Sequence, residues 1–561
     1  MGNVNDRARV LSMLAVMGLA IPAAAQSDPL AEPFGPSFDW RDLLPSRGGD
    51  GSLGYVLQNC GHAWSMSEFQ PPLRAGDING DGLEDLLHDV AIYDPRTKFG
   101  FGVLMSMADS PAIIDISDPI RNPGFQFRFT PIGAGPSTNV GDINGDGIDD
   151  VAGSETQIVS GRGDYYFAVS HIVFGRDEAA SGAFDPIDPD TPTMTLSGSY
   201  LFDTRIFNQV GDVNGDGLDD LALSHGGRSP YGWSYSAAVV FGRTPGDLFP
   251  RFASPATLRD SSGGVFFGCS DRDISLASRI ESAGDLNRDG VRDLLIPTSW
   301  TSQRSGAYVV FGRAPDDPFP LGVDVATLDE DSAVFLDASD HGVHIRTVGS
   351  LGDINGDGIE DVGVSAYIDS QTYSLYVVFG RYASHRSPFP PVVNLSDLDG
   401  EDGFRIVASA SSLQRHPIRR LGDVNGDQVD DILLKDRVIY GCADWRYEPL
   451  VQVGDIGPAQ SVSFNGVLHG VGDVNADGVP DISVGYLGGA ECEVAAIVYG
   501  RRPPPPCPAD MDRDGRLTLF DWLTFTTAWQ DQQPIADVDG DGGFSLMDYL
   551  VYQAWFHYGC P

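Results

Sequence analysis

The chain has 561 residues, room for roughly three to four domains. It carries 36 Lys and Arg against 79 Asp and Glu, a formal net charge of −43, which argues against nucleic acid or an anionic membrane face as a partner. At 42% hydrophobic residues it can bury a core, and 68 Gly with 38 Pro suit a turn-rich all-β protein. So much negative charge in a folded chain points to bound cations.

At the N-terminus, Arg7 and Arg9 precede an apolar run from Val10 to Ile21 that ends in Pro22-Ala23-Ala24-Ala25. A basic start, a short apolar stretch and an Ala-x-Ala site read as a signal peptide over residues 1–25, predicting a secreted or cell-surface protein. The run falls short of the roughly 20 apolar residues that span a bilayer, and no later stretch is long enough, so the mature chain is expected to lack a transmembrane segment. Export implies a calcium-rich, oxidising compartment. Six cysteines (Cys60, Cys269, Cys442, Cys492, Cys507 and Cys560) are scattered with no CxxC, which argues against zinc. Six allow about 15 pairings, and spacing alone does not choose among them.

One acidic loop then recurs seven times, each copy preceded by Gly. Positions 1, 3, 5, 7 and 9 hold Asp, Asn, Asp, an aliphatic residue and Asp. The first copy has Asp77, Asn79, Asp81, Leu83 and Asp85; the second Asp142, Asn144, Asp146, Ile148 and Asp150; the third Asp212, Asn214, Asp216, Leu218 and Asp220. The fourth has Asp285, Asn287, Asp289, Val291 and Asp293, and the fifth Asp353, Asn355, Asp357, Ile359 and Asp361. The sixth has Asp423, Asn425, Asp427, Val429 and Asp431, and the seventh Asp473, Asn475, Asp477, Val479 and Asp481. Side-chain oxygens at positions 1, 3, 5 and 9, with the position-7 carbonyl, can converge on one hard cation. Calcium accepts six to eight oxygens in a forgiving geometry, whereas magnesium prefers water and transition metals prefer nitrogen or sulfur. Gly at position 6 supplies a turn with positive φ, and Gln428 in its place predicts a strained or weaker sixth loop.

Position 7 begins a short strand, and a later β-rich run ends in Phe-Gly or Tyr-Gly, as in Val173-Phe174-Gly175-Arg176, Val378-Phe379-Gly380-Arg381 and Val498-Tyr499-Gly500-Arg501. Four short strands per unit, with the loop between the first and second, make one blade. These units resemble FG-GAP repeats, the calcium-loop blades of the integrin α-subunit N-terminal propeller, over residues 38–502. The resemblance implies an all-β, seven-bladed β-propeller with calcium at the loop residues. It departs where the "GAP" after each loop is degenerate, as in Gly153-Ser154-Glu155. Phe38-Asp39-Trp40-Arg41-Asp42-Leu43 is similar to Val393-Asn394-Leu395-Ser396-Asp397-Leu398, so residues 38–44 are expected to return and complete the last blade. The short sixth interval is expected to be a trimmed blade with a tight hairpin near Lys435-Asp436.

Past a proline linker, 503–506, two 12-residue loops of another kind follow in residues 507–561. The first offers Asp510, Asp512, Asp514, the Arg516 carbonyl, Thr518 and Asp521; the second offers Asp537, Asp539, Asp541, the Gly543 carbonyl, Ser545 and Asp548. These are EF-hand loop positions with Asp in place of the final Glu. Each runs into an amphipathic helix, Trp522 to Trp529 and Tyr549 to Phe556. The tandem resembles a type I dockerin, a small α-helical EF-hand module that binds a cohesin. In such a module Cys507 and Cys560 would join the ends by a disulfide. Dockerins carry Ser or Thr at loop positions 10 and 11, where this chain has Leu519-Phe520 and Leu546-Met547. Calcium at about nine sites is the expected total.

No Gly-x-Ser-x-Gly elbow, HExxH, P-loop or dinucleotide fingerprint is present, so no catalytic residue is assigned. The sequence reads as a secreted calcium-binding propeller serving as a binding or structural surface protein. A cohesin-like protein would tether it, and an extracellular glycan or protein would be its ligand. The alternative is an extracellular carbohydrate-active enzyme, a polysaccharide lyase or glycoside hydrolase, delivered by the dockerin.

Overall fold

The computed structural model describes residues 34–501 outside positions 36, 60–70, 91–98, 107–109, 117–123, 130–133, 160–164, 177–181, 185–192, 198–203, 226–235, 248, 254–262, 272, 275, 277–279, 299–303, 340–343, 369–371, 383–388, 410–417, 443–448, 458–459 and 487–492. Beyond 501 it describes 511, 519–530, 533, 536, 538 and 545–558. The signal-peptide assignment, the proline linker, Cys507 and Cys560 fall outside the described residues. The chain divides into two compact units, one of which is Phe34–Gly500.

Phe34–Gly500 is a seven-bladed β-propeller built from seven separate sheets. The fifth blade shows the plan: His344–Gly352, Asp361–Tyr367, Thr372–Val378 and Gly403–Ser409 run antiparallel in that order, and the fifth acidic loop joins the first two. A short outer strand, Leu450–Gln452, then adds in parallel from further along the chain. The sequence reading includes such outer strands, as at Val392-Val393-Asn394-Leu395, but as part of their own unit; here each joins the preceding blade, so that six of the seven blades carry five strands in place of four.

Apolar packing lies between neighbouring blades. Ala283, Leu295 and Val309 of the fourth blade pack with Val348, Val364 and Tyr376 of the fifth in one buried layer. Both faces of a central strand are therefore covered. This is why Asp293–Pro297 reads as the unbroken apolar run Leu294-Leu295-Ile296, buried throughout, instead of alternating.

The sixth blade is trimmed as expected. Ile432–Leu434 and Arg437–Ile439 form a hairpin turning at Lys435-Asp436, and residues 418–424 before its loop are not a strand.

Ring closure differs from the sequence expectation. The fourth strand of the seventh blade is Gly54–Asn59, antiparallel to Glu493–Val498, and not residues 38–44. Ser37–Phe38 is instead the outer strand of the sixth blade, parallel to Ser461–Phe464, and Trp40–Leu43 is a 3-10 turn. The similarity to Val393–Leu398 was sound, because that segment is likewise an outer strand, Val392–Asn394, followed by a 3-10 turn at Leu395–Asp397. In both segments, as also after the 3-10 turns Val325–Thr327 and Val453–Asp455, the inner fourth strand comes only after that turn. Trp40 and Leu43 are buried with Val56, Val462, Ile482 and Val498 in the layer between blades six and seven.

In the C-terminal segment, α1 (Leu519–Gln530) and α2 (Leu546–Tyr558) are the described helices, each longer than read from the sequence. Phe525 of α1 stacks on Tyr552 of α2, ring centroids 3.7 Å apart, with Trp522 and Tyr549 alongside. The 27-residue spacing thus places equivalent aromatic positions against each other. Among the described residues no helix is long and apolar enough to cross a membrane.

Candidate metal centres

All seven propeller loops are described, and they share one geometry. The position-5 N–H donates both to Oδ1 of the position-1 Asp and to the position-3 Asn oxygen, as Asp357 does to Asp353 at 3.0 Å and to Asn355 at 2.9 Å. The other position-1 oxygen accepts from the position-6 N–H, Gly358 to Asp353 at 2.7 Å, and Asp357 accepts from the Ile359 N–H at 3.0 Å. Equivalent bonds recur at Asp77 and Asp81, Asp142 and Asp146, Asp212 and Asp216, Asp285 and Asp289, Asp423 and Asp427, and Asp473 and Asp477. The oxygens at positions 1 and 3 are thereby gathered about a single backbone nitrogen. Asp and Asn suit this tight turn because their short side chains hydrogen-bond the backbone just ahead of them.

Position 6 needs positive φ, met by Gly in six loops and by Gln428 (φ 73°) in the sixth. A left-handed non-glycine residue costs about 1 kcal/mol. Gln428→Gly should therefore raise stability by about that much, read as a higher denaturation midpoint with the slope of the transition unchanged.

The position-9 Asp is placed differently from its companions. Asp85, Asp150, Asp220, Asp293, Asp361, Asp431 and Asp481 are essentially sealed from solvent, at 0–1% exposure. Each spends both oxygens on backbone N–H groups. One accepts from position 2, as in Ile354 N–H to Asp361 Oδ2 at 3.0 Å. The other accepts from the Gly of the Phe-Gly or Tyr-Gly pair: Gly175, Gly242, Gly312, Gly380, Gly441 and Gly500, at 2.8–2.9 Å. In the first blade Ser106 takes that place. In the other six blades the backbone leaves no room for a Cβ, since one on Gly380 would lie 2.3 Å from the Glu360 carbonyl oxygen. The sequence marks the Phe-Gly pair by its repetition, and its physical reason is this contact with the loop.

Burial pushes these carboxyls up from the ordinary range, Asp85 to about 8, and the carboxylates at positions 5 and 1 add to the effect. The same causes act in the same direction on Asp150, Asp220, Asp293, Asp361, Asp431 and Asp481.

The residue at position 8, to which the sequence reading gave no part, joins one blade to the next. Carboxylates of Asp149, Asp219, Glu360 and Asp430 accept the position-1 N–H of the preceding loop at 3.0–3.1 Å. The signal was present: five of the seven copies carry an acid there. The residue after each Phe-Gly pair adds a second tie, as Arg176 N–H donates to Ile78 C=O at 3.0 Å and Arg381 N–H to Leu286 C=O at 2.8 Å. Glu84 N–H to Asp473 C=O at 3.2 Å carries the chain of loops across the closure from blade one to blade seven.

Among the described residues, no three His, Cys, Asp or Glu side chains are drawn together closely enough to form a metal-binding group by themselves. The donor set of each loop nevertheless fits a hard cation: three carboxylates, one amide oxygen and backbone carbonyls, with no nitrogen or sulfur ligand.

The comparisons with known proteins bear on this geometry. Over 174 residues, 30% of this chain, the sequence is 29% identical to integrin alpha-4 of Xenopus laevis. The match spans 15% of the length of that protein. No family model matches the chain. The likeness is distant and partial, and together with seven blades it is consistent with an FG-GAP propeller.

In the C-terminal segment Asp510, Asp512, Asp514, Arg516, Thr518, Asp537, Asp539, Asp541 and Gly543 lie outside the described residues, as does the side chain of Asp521, whose backbone is in α1. Asp548 is fully buried at the start of α2 and accepts from Ser545 N–H at 2.7 Å and Val538 N–H at 3.1 Å. A last-position Asp thus folds its own loop here as well.

Proposed function

We propose that the propeller is an extracellular binding or structural surface stiffened by calcium in its seven blade loops, and that the C-terminal segment is a dockerin-like module docking to a cohesin-like protein. The observation that supports calcium is the set of seven buried position-9 carboxylates, each beside two further carboxylates. Such a group is costly when ionised, and a divalent ion offsets that cost. Positions 1, 3, 5 and 9 and the position-7 carbonyl would hold the ion in each blade. What calcium supplies is positive charge shared among these oxygens; the chain's own part is to hold the loop N–H groups and the neighbouring blade in register. The two C-terminal loops would bring the total to about nine. The integrin alpha-4 likeness and the absence of a catalytic motif favour a binding surface over an enzyme, with an extracellular glycan or protein as ligand.

Calorimetric titration of chelator-stripped protein with calcium should saturate near nine equivalents. Two equivalents or fewer, or an equal response to magnesium, would remove the calcium reading. Retention of the calcium-loaded protein on a glycan array or an extracellular protein bait, lost in chelator, tests the binding surface.

A further inference from the structure

Resting on the calcium reading above, we infer that the position-8 residues couple the seven loops into one open chain of calcium sites. The chain runs from loop seven through loop one to loop six, and Pro480 breaks it between six and seven.

The joint between loops one and two shows the connection. The Ile78 N–H donates to Asp85 Oδ2 at 3.1 Å, and the Asp77 carbonyl of that same peptide group accepts from the Asp149 N–H at 3.0 Å. The Asp149 N–H in turn shares its peptide group with the Ile148 carbonyl, the position-7 oxygen of loop two. Two hydrogen-bonded peptide groups thus lead from the buried carboxylate of one loop to a candidate ligand of the next. The same pair of bonds recurs at 2.9–3.2 Å from Asp220 through Val213 and Asp212 to Arg292, from Asp361 through Ile354 and Asp353 to Asp430, and from Asp481 through Val474 and Asp473 to Glu84. Between loops two and three, and between four and five, the Asp219 or Glu360 carboxylate makes the link by accepting the position-1 N–H.

Loop six begins the same run, with the Val424 N–H on Asp431 Oδ2 at 2.9 Å. The next partner in sequence is Pro480, which has neither an N–H for the Asp423 carbonyl nor a carboxylate. Packing at this seam is like that elsewhere. A Cβ on Gly422 would lie 2.7 Å from Pro480 Cγ, as one on Gly211 would from Arg292 Cγ. The seam therefore keeps its contact and lacks the position-8 hydrogen bond.

Positive charge at a position-7 carbonyl polarises its peptide group and strengthens the bond that the attached N–H donates. Hydrogen-bonded groups in series pass such polarisation on, here to the N–H held by the neighbouring position-9 carboxylate. Occupancy of one loop thereby favours occupancy of the next, and the effect is reciprocal.

Calcium titration of the full-length protein, with hydrogen exchange of each loop's peptides read by mass spectrometry, gives a midpoint for every loop. Asp289→Asn removes a carboxylate from loop four yet keeps an oxygen for the Val291 N–H, so the loop folds and binds calcium poorly. It should raise the midpoint of loop three about fivefold. Asp477→Asn, the matching change in loop seven, should raise loop one by a similar factor and leave loop six where it is. Pro480→Ala restores the N–H and touches no ligand. It should lower the loop-six midpoint about fivefold, and Asp477→Asn in that background should now raise it. An unmoved loop three, equal shifts at every loop, or a loop six that responds to Asp477→Asn while Pro480 is in place overturns the coupling. Calcium that protects the loops independently removes the coupling alone; calcium that protects none removes the calcium reading with it.

Discussion

Replacing Asp361 by alanine destabilises the propeller by about 3–5 kcal/mol even with calcium chelated, because two buried N–H groups, those of Ile354 and Gly380, lose their acceptor together. Asp361→Asn keeps one oxygen for one of those bonds and removes a buried charge, so in chelator it costs much less than alanine. In calcium the parent protein pulls away from both. If the position-9 carboxylate is a calcium ligand as proposed, both variants forfeit the calcium-dependent gain at that loop, so each falls further below the parent by the same amount and the gap between asparagine and alanine stays as in chelator. Denaturant midpoints of the three proteins in chelator and in calcium provide the measurement. If asparagine equals alanine in chelator, the carboxylate is a ligand only, and its part in holding Gly380 is refuted.

The second large effect is a reversal of pH dependence by calcium. Without a divalent ion, the folded chain holds protons on its buried position-9 carboxyls more tightly than the unfolded chain does, Asp85 up to about 8. A raised carboxyl contributes stability that is fully present below its unfolded value, roughly 4, and is lost as pH rises through its folded value. Chelated protein should therefore melt at a higher temperature at pH 5 than at pH 8. On the calcium reading proposed above, the ion would bind the deprotonated carboxylates, and bind better as pH rises. For sites with dissociation constants of about 10⁻⁴–10⁻³ M, ~2 mM calcium stabilises each by roughly 0.6–1.8 kcal/mol, a sum that rivals a domain's whole margin. The gap between melts in calcium and in chelator should thus widen steadily from pH 5 to pH 8. A gap that is constant or narrows over that window would remove both the buried-carboxylate account and the calcium account.

Much of this was legible in the residues. Seven spaced Asp-Asn-Asp loops, the recurring Phe-Gly pairs and the turn at Lys435-Asp436 gave the blade count, the loop position within a blade and the trimmed sixth blade. Their signals are local, because a turn and the strands beside it are written within about ten residues. What escaped the sequence reading is non-local. Asp361 meets Gly380 19 residues away, and Asp430 meets the Asp353 N–H 77 residues away. Spacing shows that these positions recur but not what they touch. The closure went astray for a related reason: Phe38–Leu43 matches an interior segment faithfully, yet the strand that enters the seventh blade follows it by a further turn, and Gly54–Asn59 carries no loop or Phe-Gly mark of its own.

The pairing of Ser37–Phe38 with blade six and Gly54–Asn59 with blade seven sets the order of assembly. The earliest-made strands find their partners only when the latest-made ones arrive, so five blades can mature while the ring still gapes. During that interval the waiting edges of one molecule are also open to the matching strands of another. Chains folding together at high concentration would then exchange these segments and emerge as intertwined pairs.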